Sequence, residues 1–567
     1  MMMKMTGARA VLECLKREGV NVVFGYPGGA ILPLYEEMYK DNFRHILTGH
    51  EQGAVHAADG YARVTGRPGV CIATSGPGIC NMVTGIATAN MDSIPMVIIS
   101  GQVPTNLIGR DSFQEADISG ITSPITKHNY LVKNAVSIPR VLKEAFYIAS
   151  TGRPGPVLID IAKDALEAEI NFEYPDEVHL PGYTVESKGQ TYDIDRAVAM
   201  IRNSQKPVFL VGGGVILSET TKYLENIVDT TKIPVVTTLM GKGALPDSHP
   251  LHLGMGGMHG SYASNKAISD CDLLIALGAR FDERLTSKAD TFAPNAQIIH
   301  FEIDDVEIDK IIDIDLGVKG DLRWSLPILA QKLTEGSFDY GAAFAKWRQH
   351  VLTLKKDHPF ATLPRPGFIS PQSIFAAVRA ITQDDDTVAI TDVGQHQMWA
   401  AQFFTTDEPK HFITSGGLGT MGFGLPAALG AKVACPDKTV VLFSGDGSIL
   451  MNCQEFATLS QYDIDVKVIV LHNDTLGMIV QLQDFFYNQH YSQCRLNKTK
   501  DFPLLAESMG IKGYRIEKQD ELIPVLKEAF AHKGPALVDI RISKDERVYP
   551  TVPGGKALSD MILGGDA

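Results

Sequence analysis

The feature that most constrains this chain is an alternation sustained along all 567 residues: short, β-rich apolar runs followed by helical periodicity. Apolar runs of about five residues suit strands covered on both faces, and a helix between successive strands makes their pairing parallel. In the first third the runs fall at 21–24, 69–73, 96–100 and 157–160. A polar, turn-rich stretch over about 173–189 then reads as a linker. The middle third restarts at 207–211 ahead of Gly212-Gly213-Gly214 and continues at 273–277 and 298–303. After a second break, rich in Pro and Gly near 359–371, the runs return at 387–390, 440–444, 466–471 and 536–540. A chain of this length exceeds one hydrophobic core, since domains hold about 100–200 residues. The expected fold is α/β, with three doubly wound parallel-sheet domains over 1–173, 190–340 and 360–545, and residues 546–567 as a C-terminal tail or lid.

Charge and cysteine usage exclude several classes of function. A net charge of −14 argues against a nucleic-acid partner, which needs a basic face. The seven cysteines are scattered without a CxxC pair, so they form neither a disulfide framework nor a zinc site. The opening MMMKMTGARAVLECLKREGV reads as an amphipathic helix without a signal peptide's apolar core. No run approaches the ~18 apolar residues of a membrane span. These readings predict a soluble cytoplasmic protein that touches no membrane.

The strongest chemical signal is Gly445-Asp446-Gly447-Ser448, placed directly after the run 440–444. Asn473 follows 27 positions after Asp446, just past the run 466–471. Both polar residues therefore close apolar strands, at the ends where parallel sheets bind ligands. A carboxylate and an amide oxygen are hard donors suited to Mg²⁺, and the glycines admit a diphosphate to backbone N–H groups at a helix start. An isolated GDG is commonly only a turn; two such elements, each ending a strand, favour a site.

This spacing resembles the thiamin-diphosphate signature, with His472-Asn473 where the family usually ends in Asn-Asn. The rest of the chain resembles the acetohydroxyacid synthase (acetolactate synthase) family, biosynthetic catalytic subunits. The motifs that carry the likeness include FGYPGGAILPLY at 24–35, GHEQGAVHAADGYAR at 49–63, TSGPG at 74–78 and FQEADI at 113–118. They continue with GRPGPVLID at 152–160, GMGGMHG at 254–260, RFDER at 280–284, VGQHQMW at 393–399 and GGLGTMGFGLPAA at 416–428.

The resemblance implies decarboxylation of pyruvate on thiamin diphosphate and transfer of the two-carbon unit to a second 2-keto acid, pyruvate or 2-ketobutyrate. That reaction belongs to the biosynthesis of branched-chain amino acids. Glu51 would be the carboxylate that engages the aminopyrimidine ring, with Gly28, Gln114 and Lys127 as further catalytic positions and Pro27 and Gly76 beside the cofactor. Gly394, Gln395 and His396 would line the diphosphate together with Gly445, Gly447, Ser448 and Gly477. Gly419 and Met421 would meet the pyrimidine, and Met478 would sit beneath the bent cofactor. Mg²⁺ would be held by Asp446, Asn473 and the backbone oxygen of Thr475. A structural, non-redox FAD is implied in the middle domain, near Arg153, Gly213, Gly214, Met258, His259, Arg280 and Asp304. Phe113, Arg284 and Leu482 would face the substrate, and Leu482 stands where the family usually carries Trp. The likeness further implies a homodimer or homotetramer with active sites shared between subunits, and a small regulatory subunit as partner. A flavin-free catabolic acetolactate synthase and a pyruvate-oxidase-like flavin enzyme are the alternatives.

Overall fold

The computed structural model describes residues 3–185, 187–360, 365–383, 386–496 and 500–564. The break expected near 359–371 therefore lies partly outside the described residues. Three six-stranded sheets form the frame, and every strand pairing within them is parallel. The first sheet runs His45–Leu47, Val23–Gly25, Gly69–Ala73, Met96–Gln102, Pro156–Ala162, His128–Val132. The last runs Phe412–Ile413, Thr387–Thr391, Thr439–Gly445, Val466–His472, Ala536–Arg541, Lys512–Ile516. Numbered by sequence within each sheet, both have the order 2-1-3-4-6-5. The middle sheet runs His252–Met255, Val235–Thr237, Pro207–Val211, Leu273–Leu277, Gln297–Glu302, Leu316–Lys319, which is the order 3-2-1-4-5-6 of dinucleotide-binding sheets.

The pleat explains why the inner strands read as unbroken apolar runs. In Gly69–Ala73, Val70 and Ile72 enter the core on one face while Cys71 and Ala73 enter the core on the other. The last sheet divides in the same way, with Val440 and Leu442 on one side and Val441 and Phe443 on the other. One core is common to a face of the first sheet and a face of the last. It closes through two helices, Glu51–Thr65 and Gly424–Ala434, whose contact surface is built from Ala54, Ala57, Ala58, Ala427, Ala428 and Ala431. A Cβ on Gly60 would overlap the backbone of Ala427, and one on Gly430 would overlap the backbone of Ala57. Glycine here is a condition of the approach.

Two expectations are corrected at the chain's ends. The opening segment is not one helix: Met3–Thr6 is a strand paired antiparallel with Glu169–Phe172, and the helix begins at Gly7. Thr6 caps it by accepting from the Arg9 N–H at 3.1 Å. Nor do residues 546–564 hang free as a tail. Val548, Val552 and Leu558 are buried, Val552 N–H donates to Met258 O at 2.8 Å, and Thr551 pairs with Ile562. Among the described residues no helix is long and apolar enough to cross a membrane.

Replacing Gly430 with Val should separate the two helices and destabilise the shared core by roughly 1–3 kcal/mol, as overpacking does elsewhere. A thermal unfolding midpoint equal to that of the parent chain would refute the requirement for close backbone approach.

Candidate active site

In open parallel sheets, ligands lie beyond the carboxyl ends of the strands at the point where strand order reverses. For the last sheet this point falls between Thr387–Thr391 and Thr439–Gly445. The loops leaving those strands carry Gly394-Gln395-His396 and Asp446-Gly447-Ser448. For the middle sheet it falls between Pro207–Val211 and Leu273–Leu277, where Gly213 and Gly214 begin a helix. One cavity of about 810 Å³ joins the two points.

At the end of that cavity formed by the last sheet, side chains pack onto glycine backbone. A Cβ on Gly445 would come 2.8 Å from His396 Nδ1, and one on Gly477 would overlap Gln395 Oε1. The Asn473 amide donates to Gln395 Oε1 at 3.4 Å. Helices Gln395–Phe403 and Gly477–Phe486 both start here, so their free N–H groups serve one wall. Met421, Gly419, Met478 and Leu482 complete it. Burial pushes the His396 imidazole down to about 3, so it stays neutral at physiological pH.

The donor set fits a hard cation. Asp446 is 2% exposed, and its Oδ2 is buried without a hydrogen-bond partner. Burial pushes its carboxyl up to about 6. Such an oxygen is costly to bury unless a cation meets it. Asn473 is fixed beside it, its Oδ1 accepting from Thr475 N–H at 3.1 Å and Thr475 Oγ at 3.0 Å. Asp446, His472 and Asp474 also present ligand atoms within 4.8 Å of one another. His472 is nevertheless the poorer donor, because both ring nitrogens are taken: Nδ1 by Asp539 at 2.8 Å and Nε2 by Asp474 at 2.9 Å. Asp446 and Asn473 are therefore the hard oxygen donors here, of the kind that suits Mg²⁺, and Thr475 borders the same cavity.

The other end of the cavity is a groove over the middle sheet. A Cβ on Gly214 would lie 2.8 Å from Gly278 Cα. Met258, His259, Arg280, Arg284 and Arg153 border the groove. Burial pushes His259 down to about 4, and its Nδ1 lies 3.1 Å from Thr551 Oγ. Asp304 does not border the cavity. Its carboxylate instead pairs with Arg153 at 3.1 Å and caps Val306 N–H at 3.2 Å. The middle domain's acidic residues on the wall are Asp282, Glu283, Glu302, Glu307 and Asp321. Glu302 closes strand Gln297–Glu302, a strand end at which parallel sheets bind ligands, and its Oε1 accepts from Ile303 N–H at 2.9 Å and Asp304 N–H at 3.1 Å.

The remaining predicted residues gather elsewhere, at the reversal point of the first sheet. Glu51 opens helix Glu51–Thr65 and accepts from the Asn81 amide at 3.0 Å. A Cβ on Gly28 would overlap Thr74, one on Gly76 would come 2.6 Å from Gln114 O, and one on Gly78 would come 3.4 Å from Glu51 Oε1. Glu51, Pro27, Gly28, Gly76 and Gln114 do not line the large cavity. Phe113 is 88% exposed beside them. Lys127 joins neither group: its ammonium donates to Ile148 O at 2.6 Å, Thr151 O at 2.7 Å and Tyr183 OH at 3.2 Å. Desolvation lowers its pKa to about 8, and its visible work is to satisfy carbonyls at the end of helix Ile138–Ser150.

Two switch-point clusters of this kind, one bearing a carboxylate at a helix start and one an orphaned carboxylate beside an amide, define a thiamin-diphosphate enzyme. Family profiles agree: residues 5–121 match the thiamine pyrophosphate enzyme N-terminal TPP binding domain, 194–329 its central domain and 392–540 its C-terminal TPP binding domain. Among curated proteins, a probable acetolactate synthase large subunit of Methanocaldococcus jannaschii is 47% identical, covering 98% of this chain and 95% of its own. The acetolactate synthase of Mycobacterium bovis is 47% identical over 98% of this chain and 91% of its own, and the large subunit of Porphyra purpurea 44% over 98% and 95%. The chain belongs to the acetolactate synthase large-subunit family.

Asp446→Asn keeps the shape but removes the charge. It should weaken Mg²⁺ binding, measured calorimetrically with thiamin diphosphate present, by at least the roughly 10–100-fold that loss of an outer-shell partner costs. An unchanged affinity would remove Asp446 from the ligand set.

Proposed function

We propose that this chain is the catalytic subunit of an acetolactate synthase of branched-chain amino acid biosynthesis. It converts two pyruvates to 2-acetolactate, and pyruvate with 2-ketobutyrate to 2-aceto-2-hydroxybutyrate. The observation that carries the reading is the buried, partnerless Asp446 Oδ2 beside Asn473, at the mouth of a glycine-lined cradle, in a chain whose relatives are acetolactate synthases.

Bound thiamin diphosphate supplies a nucleophilic thiazolium carbon and an electron sink for loss of CO₂. Asp446, Asn473 and the Thr475 carbonyl hold Mg²⁺ against the diphosphate, with Gly394, Gln395 and His396 along the same wall. Glu51 holds a proton at the aminopyrimidine ring nitrogen. Because Glu51 lies off the cavity that Asp446 lines, a second copy must bring its first domain to this one, in a homodimer or a tetramer of such pairs. That copy also supplies Gly28, Gly76, Gln114 and Phe113. Arg284 borders the cavity with its side chain 72% exposed, in a solvent-exposed pair with Glu283 at 3.6 Å that it exchanges for the carboxylate of the second keto acid. FAD occupies the middle-domain groove as a structural group, a reading supported by the strand order and by the close approach of Gly214 to Gly278. The protein works in the cytoplasm, with a small regulatory subunit as its partner.

The deciding assay supplies pyruvate, 2-ketobutyrate, thiamin diphosphate, Mg²⁺ and FAD, omits each cofactor in turn and quantifies both acetohydroxy acids. Omitting thiamin diphosphate or Mg²⁺ should abolish both products. Glu51→Gln should lower kcat by about 10²–10⁴-fold, the usual worth of general acid–base catalysis. Reduced flavin accumulating with pyruvate consumption, and no acetolactate, would refute the reading.

Leu482 is 42% exposed on the cavity wall and offers less apolar surface than Trp. The discrimination at stake is one methylene, worth about 1–3 kcal/mol at most. Leu482→Trp should therefore raise the ratio of acetohydroxybutyrate to acetolactate at equal substrate. A parent chain that already strongly favours acetohydroxybutyrate would overturn this assignment.

A further inference from the structure

The stretch 414–423, which carries Gly419 and Met421 along the cavity wall, is gripped from another domain. Asp92 follows helix Val83–Met91 of the first domain, and its side chain is fully buried. Its carboxylate accepts from Gly417 N–H at 2.7 Å and from Gly416 N–H at 3.2 Å. Arg63, on helix Glu51–Thr65, donates to Asp92 Oδ2 at 2.8 Å and to Thr414 O at 2.8 Å, and its guanidinium lies 5.2 Å from the Phe423 ring centroid. A third tie joins Thr88 Oγ to Thr420 Oγ at 2.7 Å.

The charges explain the arrangement. Two buried carboxylates, Asp59 and Asp92, share the single guanidinium of Arg63. Asp92 also accepts from the two loop N–H groups, so one carboxylate ties the loop backbone to the guanidinium. The sequence accommodates this contact at Gly417, where a Cβ would come 2.9 Å from Asp92 Oδ1; at Gly416 the tight neighbour is Met240 Sδ of the middle domain. Two residues beyond Gly417, at Gly419, the same backbone borders the cavity.

We propose that Asp92 is a positioning residue for the ring half of thiamin diphosphate, drawing the Gly416-Gly417 backbone toward the first domain and thereby fixing Gly419 and Met421 on the wall. The proposal rests on the thiamin-diphosphate reading above. It separates the ring from the diphosphate, which is held by other loops at Gly394, Asp446 and Asn473.

The test titrates the full-length parent chain, Asp92→Asn and Thr88→Val with Mg²⁺–thiamin diphosphate and, separately, with Mg²⁺–pyrophosphate, by calorimetry. Asp92→Asn should raise the Kd for thiamin diphosphate about tenfold, equivalent to about 1.4 kcal/mol. The Kd for pyrophosphate should move less than about twofold. Thr88→Val leaves the ion cluster intact and should shift only the thiamin diphosphate Kd, in the same direction and by less; it carries the test if Asp92→Asn does not fold. An unchanged thiamin diphosphate Kd, or equal weakening of both probes, overturns the proposal. A parent chain that binds no thiamin diphosphate overturns the cofactor reading along with it. A parent that binds the cofactor with the expected Asp92 effect, yet forms no acetolactate, supports the positioning role and refutes only the assigned reaction.

Discussion

Everything in this architecture depends on two helices approaching until backbone touches backbone. Helices Glu51–Thr65 and Gly424–Ala434 meet through alanines, and at Gly60 and Gly430 even a methyl group has no room. Because interiors are packed as densely as organic crystals, a contact this close tolerates little sliding. It fixes the first sheet against the last and makes one core of their facing sides. Glu51 lies at the start of one of these helices, and the loop bearing Gly419 and Met421 leads into the other. The packing that stabilises the chain thus also sets Glu51 and the Gly419–Met421 loop relative to each other, and the cluster of Arg63, Asp59 and Asp92 ties the end of that contact.

The repeated strand order has a functional consequence. The first and last sheets share the order 2-1-3-4-6-5, and each reverses between its first and third strands. Each therefore opens one crevice, and each crevice collected part of the predicted site: Glu51, Gly28 and Gly76 in one, Asp446 and the Gly394 turn in the other. The shared core holds these crevices apart within a single chain, which is why the first group does not line the large cavity. The middle sheet reverses between its first and fourth strands and opens a third crevice, continuous with that of the last sheet.

What the sequence disclosed follows from which strands are covered. The runs read as strands are inner ones, buried on both faces and hence continuously apolar. Those passed over, His45–Leu47, His128–Val132, His252–Met255, Leu316–Lys319, Phe412–Ile413 and Lys512–Ile516, are all sheet edges. His128–Val132 shows the cause, with His128 and Leu131 exposed, so that no uniform apolar signal survives. Val235–Thr237 is internal, three residues long and directly after Pro234, and is passed over although Val23–Gly25, equally short, is read. At the site, residues fixed by strand ends and glycine turns were legible, because backbone geometry dictates them. Side-chain partnerships were not: Lys127 turns to helix-end carbonyls, Asp304 to Arg153, and Glu302 takes the wall position that its neighbour was expected to fill. Motif spacing places a residue on an element, whereas the direction its charge takes is decided by donors distant in sequence.

The departure from Asn to His before Asn473 illustrates how such a change is absorbed. An imidazole beside hard oxygen donors introduces a competing ligand unless its ring nitrogens are engaged. Here His472 is buried on strand Val466–His472, between Asp539 from the neighbouring strand and Asp474 from its own turn. Each of these carboxylates is in turn held by an arginine, Asp539 by Arg515 at 3.2 Å and Asp474 by Arg541 at 2.6 Å. The ring is thereby clamped at both nitrogens, 3.8 Å from Asp446 Oδ2, close enough to shape the field there but without a free donor to offer a cation. Asp446 and Asn473 keep their oxygens free of it, so the hard donors stay available although the pair reads His472-Asn473 rather than Asn-Asn.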